Sequence, residues 1–381
     1  MSTKTPHIDR SSIFEAAPVE RRYDLDALRG FAMLLGIALH AAIAFVPYRS
    51  DSQTGAALSW GFFEFVHGFR MPIFFILSGY FTTMLWQRRG LGGVLSHRLK
   101  RIGLPLLAGV VTIVPLVRLA FTAADSIAGN SAATRPSGFG FSHLWFLWFL
   151  ALMVVGFAAT VTVLDRARSI RVLAWSTSPR VATLALVALP LLTVVPASRM
   201  VDELFGADYS DTLVPNDGVL SYYLCFFTFG ALLFGRHDRN GTPLIDAFGR
   251  FWLAQLAIAS FVLFPLGRSL MSEHWTASAA VQVAFAWMMS FGLLGAFRSL
   301  LNRKSALVAW LSDASYWMYL AHLPMVIVLQ AIASRMGLPP IVAVPVIFVT
   351  ATSFLMLSYQ RFVRYSPIGT MLNGKRLKLD D

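Results

Sequence analysis

The sequence predicts an all-α polytopic membrane protein of about ten transmembrane helices with both termini cytoplasmic, and three observations lead there. Of the 381 residues, 56% are hydrophobic and only 14% charged, whereas a soluble domain carries about a quarter charged residues. The apolar residues fall in runs of roughly 18–25, the length a helix needs to cross a ~30 Å hydrocarbon core. Lys and Arg cluster at alternate ends of those runs, as they do when positive charge sets membrane orientation.

The spans are read at 27–47, 60–86, 102–122, 143–164, 181–197, 219–235, 250–267, 277–297, 306–334 and 339–361. Helices are expected because backbone groups in lipid must bond within their own segment. The fifth and sixth runs are short for a span, and the ninth is long enough for its first turns to lie at the surface. With the N-terminus inside, the cytoplasmic segments carry 22 of the 32 Lys and Arg and the outer loops carry 5; Arg29, Arg70 and Arg118 fall within spans, and Arg250 and Arg361 at the cytoplasmic ends of theirs. This asymmetry accounts for the net charge of +12 without nucleic acid as a partner.

Residues 1–22 read as a disordered cytoplasmic tail, 23–365 as the transmembrane domain and 366–381 as a basic cytoplasmic tail. The polar start and the absence of an A-x-A site argue against a cleavable signal peptide. Cys225, the single cysteine, excludes an intramolecular disulfide and a cysteine-based metal site. The outer loop at 198–218 sets Asp202, Glu203, Asp208, Asp211 and Asp217 against a lone Arg199. Its carboxylates suit sugar hydroxyls, or they make a solvated acidic loop and nothing more.

Ionisable side chains inside a membrane are costly and mark functional sites. In the first span, DLDALRGFAMLLGIALHAAIAF, His40 follows Arg29 by eleven residues, three helical turns with ~20° left over, so both project from one face ~16 Å apart along the axis. In the second span, Glu64, His67 and Arg70 recur at every third position within a ~120° wedge. Such a trio forms either a structural network between helices or a pocket wall. His40 and His67 lie at similar depth, and Pro72 is expected to bend the second helix. His143 opens the fourth span at its outer mouth, and His322 lies near the middle of the ninth. At the cytoplasmic face, QRRGLGGVLSHRLKRIGLP sets Arg98 and Arg101 one turn apart, a spacing suited to the phosphates of a nucleotide donor.

The Arg29/His40 spacing, FFILSGYF in the second span and Arg98-Leu-Lys-Arg101 together resemble the membrane-bound acyltransferase family 3. Within it, YDLDALRGFAMLLGIALHAA, FVHGFRMPIFFILSGYF, SHLWFLWFL and VRYSPIGTMLNGKR resemble the branch that modifies osmoregulated periplasmic glucans, whose founding members are succinyltransferases. The resemblance covers about residues 22–376. It implies an inner-membrane enzyme that takes succinyl or acetyl groups from acyl-CoA, binds no permanent cofactor, and acylates a periplasmic glucan or other glycan. Where many relatives have Glu in the last span, this chain has Gln360.

These residues allow that chemistry. A thioester is already activated, so the enzyme needs a base for the sugar hydroxyl and charge for the tetrahedral oxyanion. His40 suits the base, with Arg29, His67, Arg70 and Glu64 as the other catalytic candidates. Arg70 or a protonated His67 would meet the oxyanion. Arg98 and Arg101 would hold the donor, and His143 and His322 the acceptor. A transient acyl-imidazole on His40 is an alternative to direct transfer. A transporter would line its path with the same charges, but the inverted repeat typical of such folds is not evident. GxSxG, HExxH and Walker motifs are likewise absent from the sequence.

Overall fold

A computed structural model describes residues 21–45, 55–128, 140–167, 179–200 and 204–374. Fourteen helices follow in order among these residues: α1 Tyr23–Ile43, α2 Ala56–Arg98, α3 Leu104–Ala128, α4 Trp145–Ala167, α5 Pro179–Leu192, α6 Val194–Ala197, α7 Asp217–Leu233, α8 Leu244–Phe248, α9 Trp252–Ile258, α10 Phe264–Leu270, α11 Trp275–Leu300, α12 Ala306–Arg335, α13 Pro340–Ser358 and α14 Pro367–Asn373. Short π segments at Leu99–Gly103 and Ala259–Leu263 join α2 to α3 and α9 to α10, and Tyr359–Val363 continues α13. No strand occurs among the described residues beyond an isolated bridge between His237 and Pro243.

Seven stretches among the described residues are long and apolar enough to cross a membrane. One of them, Ala56–Ile127, runs 72 residues and contains the second and third expected spans. The chain turns inside it at Gly90, whose φ of 65° and ψ of −178° suit a residue without Cβ. Two shorter apolar helices, Val181–Ala197 and Asp217–Leu233, coincide with the expected fifth and sixth spans. Pro72 sits inside α2, which continues through it.

α1, α11 and α12 form the centre, each with more than half of its apolar window buried, against 11% for Trp252–Leu270 and 22% for Pro340–Val363 at the periphery. α1 lies against α2, α12, α13 and α11. The outward faces remain apolar: Val111, Leu119, Phe261 and Phe354 are all well over half exposed, a surface suited to lipid rather than water. With no hydrophobic drive between helices in lipid, close packing of small residues holds them together. At the α2–α7 crossing, a Cβ on Gly79 would run into the Phe227 carbonyl and lie 2.7 Å from the Ala231 nitrogen, and Gly230 meets Ile76 in the same way. Gly79→Leu is therefore expected to destabilise the bundle by about 1–3 kcal/mol or more, seen as a lower melting temperature of the purified protein. An unchanged melting temperature would mean that α2 and α7 part without cost.

Contacts between connecting segments fall at two ends of the bundle. On the expected cytoplasmic side, Arg22 grips buried Asp24 with two bonds of 2.9 and 2.6 Å and reaches Asp246 at 2.6 Å; Arg298 reaches the same Asp246 at 3.4 Å. Burial alone would lower the Arg22 pKa, but the two carboxylates outweigh it and the net shift is upward. On the expected outer side, Phe141 N donates to Asp211 O at 2.7 Å and Arg335 to Ile127 O at 2.9 Å. The first part of the expected C-terminal tail forms α14, which packs against α12, where Asn373 Nδ2 donates to Asp313 O at 2.8 Å and lies 3.2 Å from the Tyr359 hydroxyl.

Candidate active site

Three histidines from three helical segments meet in the half of the bundle expected to face outward. His40, in the last turn of α1, has its ring 5.0 Å from that of His322 on α12. His322 in turn lies 5.1 Å from His143, at the 3₁₀ turn that opens α4. The backbone around them is well supported. Gln330 Nε2 donates to the carbonyls of His40 at 2.6 Å and Ala41 at 3.3 Å, which lack helical partners at a C-terminus. Tyr319 OH donates to His143 O at 2.8 Å. Ser142, immediately before His143, has φ 51°, the one positive φ of a non-glycine residue among the described residues. Such conformations cluster at functional sites.

His40 is half-buried, and no partner for its imidazole appears among the described residues. Arg70 completes the group. Its guanidinium lies against Gly36, one turn towards the expected cytoplasmic end from His40: a Cβ at Gly36 would collide with Arg70 Nη1. Arg70 Nε is buried without a hydrogen-bond partner, and the side chain makes no ion pair among the described residues. Tyr223, Tyr319 and the histidines His40, His67, His143 and His322 are close enough to interact with it.

The Glu64, His67 and Arg70 wedge does not act as one unit. Glu64, 3% exposed, pairs with Arg268 of α10 at 2.8 Å, which leaves Arg70 without that acid. His67 Nδ1 donates to Phe205 O at 2.9 Å, and its ring stacks on Phe63. Phe205 belongs to the outer loop read from the sequence as acidic and solvated. It is fully buried, wedged edge-on against Phe264 and Phe285, and the backbone N–H of Gly206 beside it donates to Gln282 Oε1 at 2.6 Å. The loop therefore dips into the bundle through its apolar Leu-Phe-Gly-Ala stretch. Its Asp202 and Glu203 lie outside the described residues.

The inner arginines form a second group. Arg29 donates to Ser312 Oγ at 2.8 Å and pairs with Asp26 at 3.4 Å, remote from His40 on the same helix. Arg98 folds back onto the FFILSGYF segment, with Nη2 2.8 Å from Thr82 Oγ1 and 3.5 Å from Ser78 O. Arg101 follows within the π turn, where its carbonyl accepts from Tyr316 OH. Arg29 is near enough to act electrostatically on both Arg98 and Arg101. Three cations held at one mouth repel one another and favour an anionic guest. Gln360 stands just outside, accepting from Trp310 Nε1 at 3.1 Å and from Arg364 at 2.9 Å.

Several contributors went unread in the sequence: Gln330, Tyr319, Ser312, Thr82, Arg268 and Gly36. Gln330 carried a usable signal, an amide inside an apolar run. Tyr319 and Gly36 carried none, because only the packing gives them a role.

Two separated polar groups within a helical membrane bundle, one histidine-rich and one arginine-rich, describe a membrane acyltransferase when set beside the profile of the acyltransferase 3 family ("Acyltransferase domain"), which matches residues 22–359. The chain belongs to that family. It is similar to proteins named Glucans biosynthesis protein C: 28% identical over 331 residues to that of Salmonella paratyphi B, covering 81% of this chain and 83% of the relative. The counterpart in Salmonella gallinarum is 29% identical over 334 residues, with the same coverage. No solved structure matches the chain significantly.

Proposed function

We propose that this acyltransferase moves an acyl group, succinyl in preference to acetyl, from cytoplasmic acyl-CoA to hydroxyls of a periplasmic glucan or related envelope glycan. In this reading it sits in the inner membrane with ten spans and both termini cytoplasmic. The observation that carries it is the His40 imidazole beside Arg70, without a hydrogen-bond partner among the described residues, with the Arg29, Arg98 and Arg101 group at the opposite end of the bundle, the one expected to be cytoplasmic. A donor with phosphates held by those arginines would extend its thioester up the polar face of α1 towards His40. An acceptor would reach the same imidazole from outside.

His40 takes the proton of the sugar hydroxyl as its oxygen attacks the thioester carbonyl. Arg70 stabilises the oxyanion that forms, with no ion pair among the described residues to give up first. Collapse expels the CoA thiolate, which takes the proton from His40, and the ester remains on the glycan. Burial among apolar helices excludes water and strengthens each of these interactions.

Mass spectrometry of envelope glycans from cells with and without the intact gene tests the reading. The expected result is a mass difference per substituent equal to one succinyl group. Identical spectra would overturn it. On the purified protein, neutralising Arg98 and Arg101 together is expected to raise the KM for acyl-CoA about 10–100-fold, with a smaller effect on the acceptor. An unchanged donor KM would return both arginines to the role of orientation signals.

A further inference from the structure

Two nitrogens in the histidine cluster are buried acceptors with nothing to accept from. His143 Nε2 lies 3.2 Å from Leu320 O. A carbonyl only accepts, so Nε2 carries the ring hydrogen and Nδ1 of the neutral ring is the lone pair. His322 Nδ1 lies 3.1 Å from Met318 O and 2.8 Å from Tyr319 O, which leaves the lone pair on its Nε2. Both free nitrogens are buried without a partner, on residues 8% and 3% exposed. A buried acceptor left unmade costs its full desolvation, and such groups are rare enough in native proteins to need an explanation.

The missing partner has to bring hydrogens. Carboxylate and phosphate oxygens have none to give. Cationic donors are disfavoured by Arg70, which faces the cluster with no acid beside it. Neutral O–H and N–H donors remain, and of these a glycan acceptor brings hydroxyls. There are two acceptors besides His40, so a ligand that satisfies the cluster offers hydroxyls beyond the one that reacts. We infer that His143 and His322 form the acceptor subsite, taking hydrogen bonds on their unprotonated nitrogens from hydroxyls of a neutral polyol next to the hydroxyl that His40 deprotonates. This rests on the acyl-transfer reading above and adds the polarity of recognition: the protein accepts and the substrate donates. Simple alcohols, which cannot satisfy both rings, are then poor acceptors.

The test uses purified full-length protein with succinyl-CoA and acetyl-CoA as donors and a linear glucose oligosaccharide as acceptor. His143→Phe and His322→Phe keep a ring but remove the nitrogen, and each is expected to raise the acceptor KM about 10–100-fold while the donor KM stays within about two-fold. His143→Asn and His322→Gln place an amide oxygen near Nδ1 and Nε2 respectively, and are expected to recover most of that loss. An acceptor KM unchanged in both Phe variants overturns the proposal. Should the Phe variants fail to fold, the wild-type protein still decides with acceptors in which one hydroxyl other than the acylated one is replaced by hydrogen. At least one such analogue is expected to lose about 100-fold or more in kcat/KM, and equal use of all of them overturns the subsite. Wild-type protein that acylates no hydroxyl at all would instead sink the acyl-transfer reading, and this proposal with it.

Discussion

His40→Ala is expected to lower kcat for acyl transfer by about 10²–10⁴-fold, the contribution typical of a positioned general base. Expression, membrane insertion and the KM for acyl-CoA should persist, because the arginines of the inner mouth lie three turns away on α1 and on α2 and the π turn after it. The effect is local for a structural reason: the imidazole makes no hydrogen bond among the described residues, and the support from Gln330 goes to the His40 carbonyl rather than to the ring. Alanine keeps that carbonyl. Initial rates with the purified variant, paired with its melting curve, check the expectation. Near wild-type transfer by His40→Ala would remove His40 from the mechanism, and a collapsed melting curve would make the residue structural.

Arg70→Gln is expected to lower kcat/KM with succinyl-CoA by about 10–100-fold more than with acetyl-CoA. A guanidinium inside a span is costly unless an anion meets it. Its neighbour on the same helix, Glu64, is committed to Arg268 at 2.8 Å, and Arg70 Nε has no hydrogen-bond partner among the described residues. A succinyl group would supply the missing carboxylate, whereas an acetyl group would not, so removing the cation costs oxyanion stabilisation with both donors and the carboxylate contact with the first alone. Parallel assays with both donors separate the possibilities. Equal loss with both would confine Arg70 to the oxyanion or to holding α1 against α2, and the preference for succinyl would then rest on likeness to glucan-modifying relatives. Gly36→Ala offers a companion measurement, since a methyl group there displaces the same guanidinium without removing its charge.

Much of the architecture was legible without coordinates because lipid leaves little choice. Runs such as 143–164 and 277–297 have to be helices, and their ends follow from where Pro, Gly and Arg interrupt them. The two shortest runs, 181–197 and 219–235, also appear as helices, α5–α6 and α7. The convergence of His40 and His322 was partly legible, since both are ionisable residues placed within spans. The separation of Glu64 and His67 from Arg70 was not. Helical spacing puts all three on one wedge of α2, but whether they join depends on what other helices bring to them. Arg268 arrives from α10, and the Phe205 carbonyl from a loop whose acidic residues masked its apolar core.

The sequence by itself determined the helical class, the alternation of basic ends and the set of polar residues carried into the apolar layer, because each is a property of one segment read against the solvent around it. Tertiary structure alone decided which of those residues meet. His143, His322 and His40 come from segments far apart in the chain, and Glu64, on the same wedge of α2 as Arg70, pairs instead with Arg268 of α10. Pairing inside a bundle is a competition among side chains on different helices, settled by helix rotation and by close contacts such as Gly79 on α7, and no periodicity within a single span records its outcome.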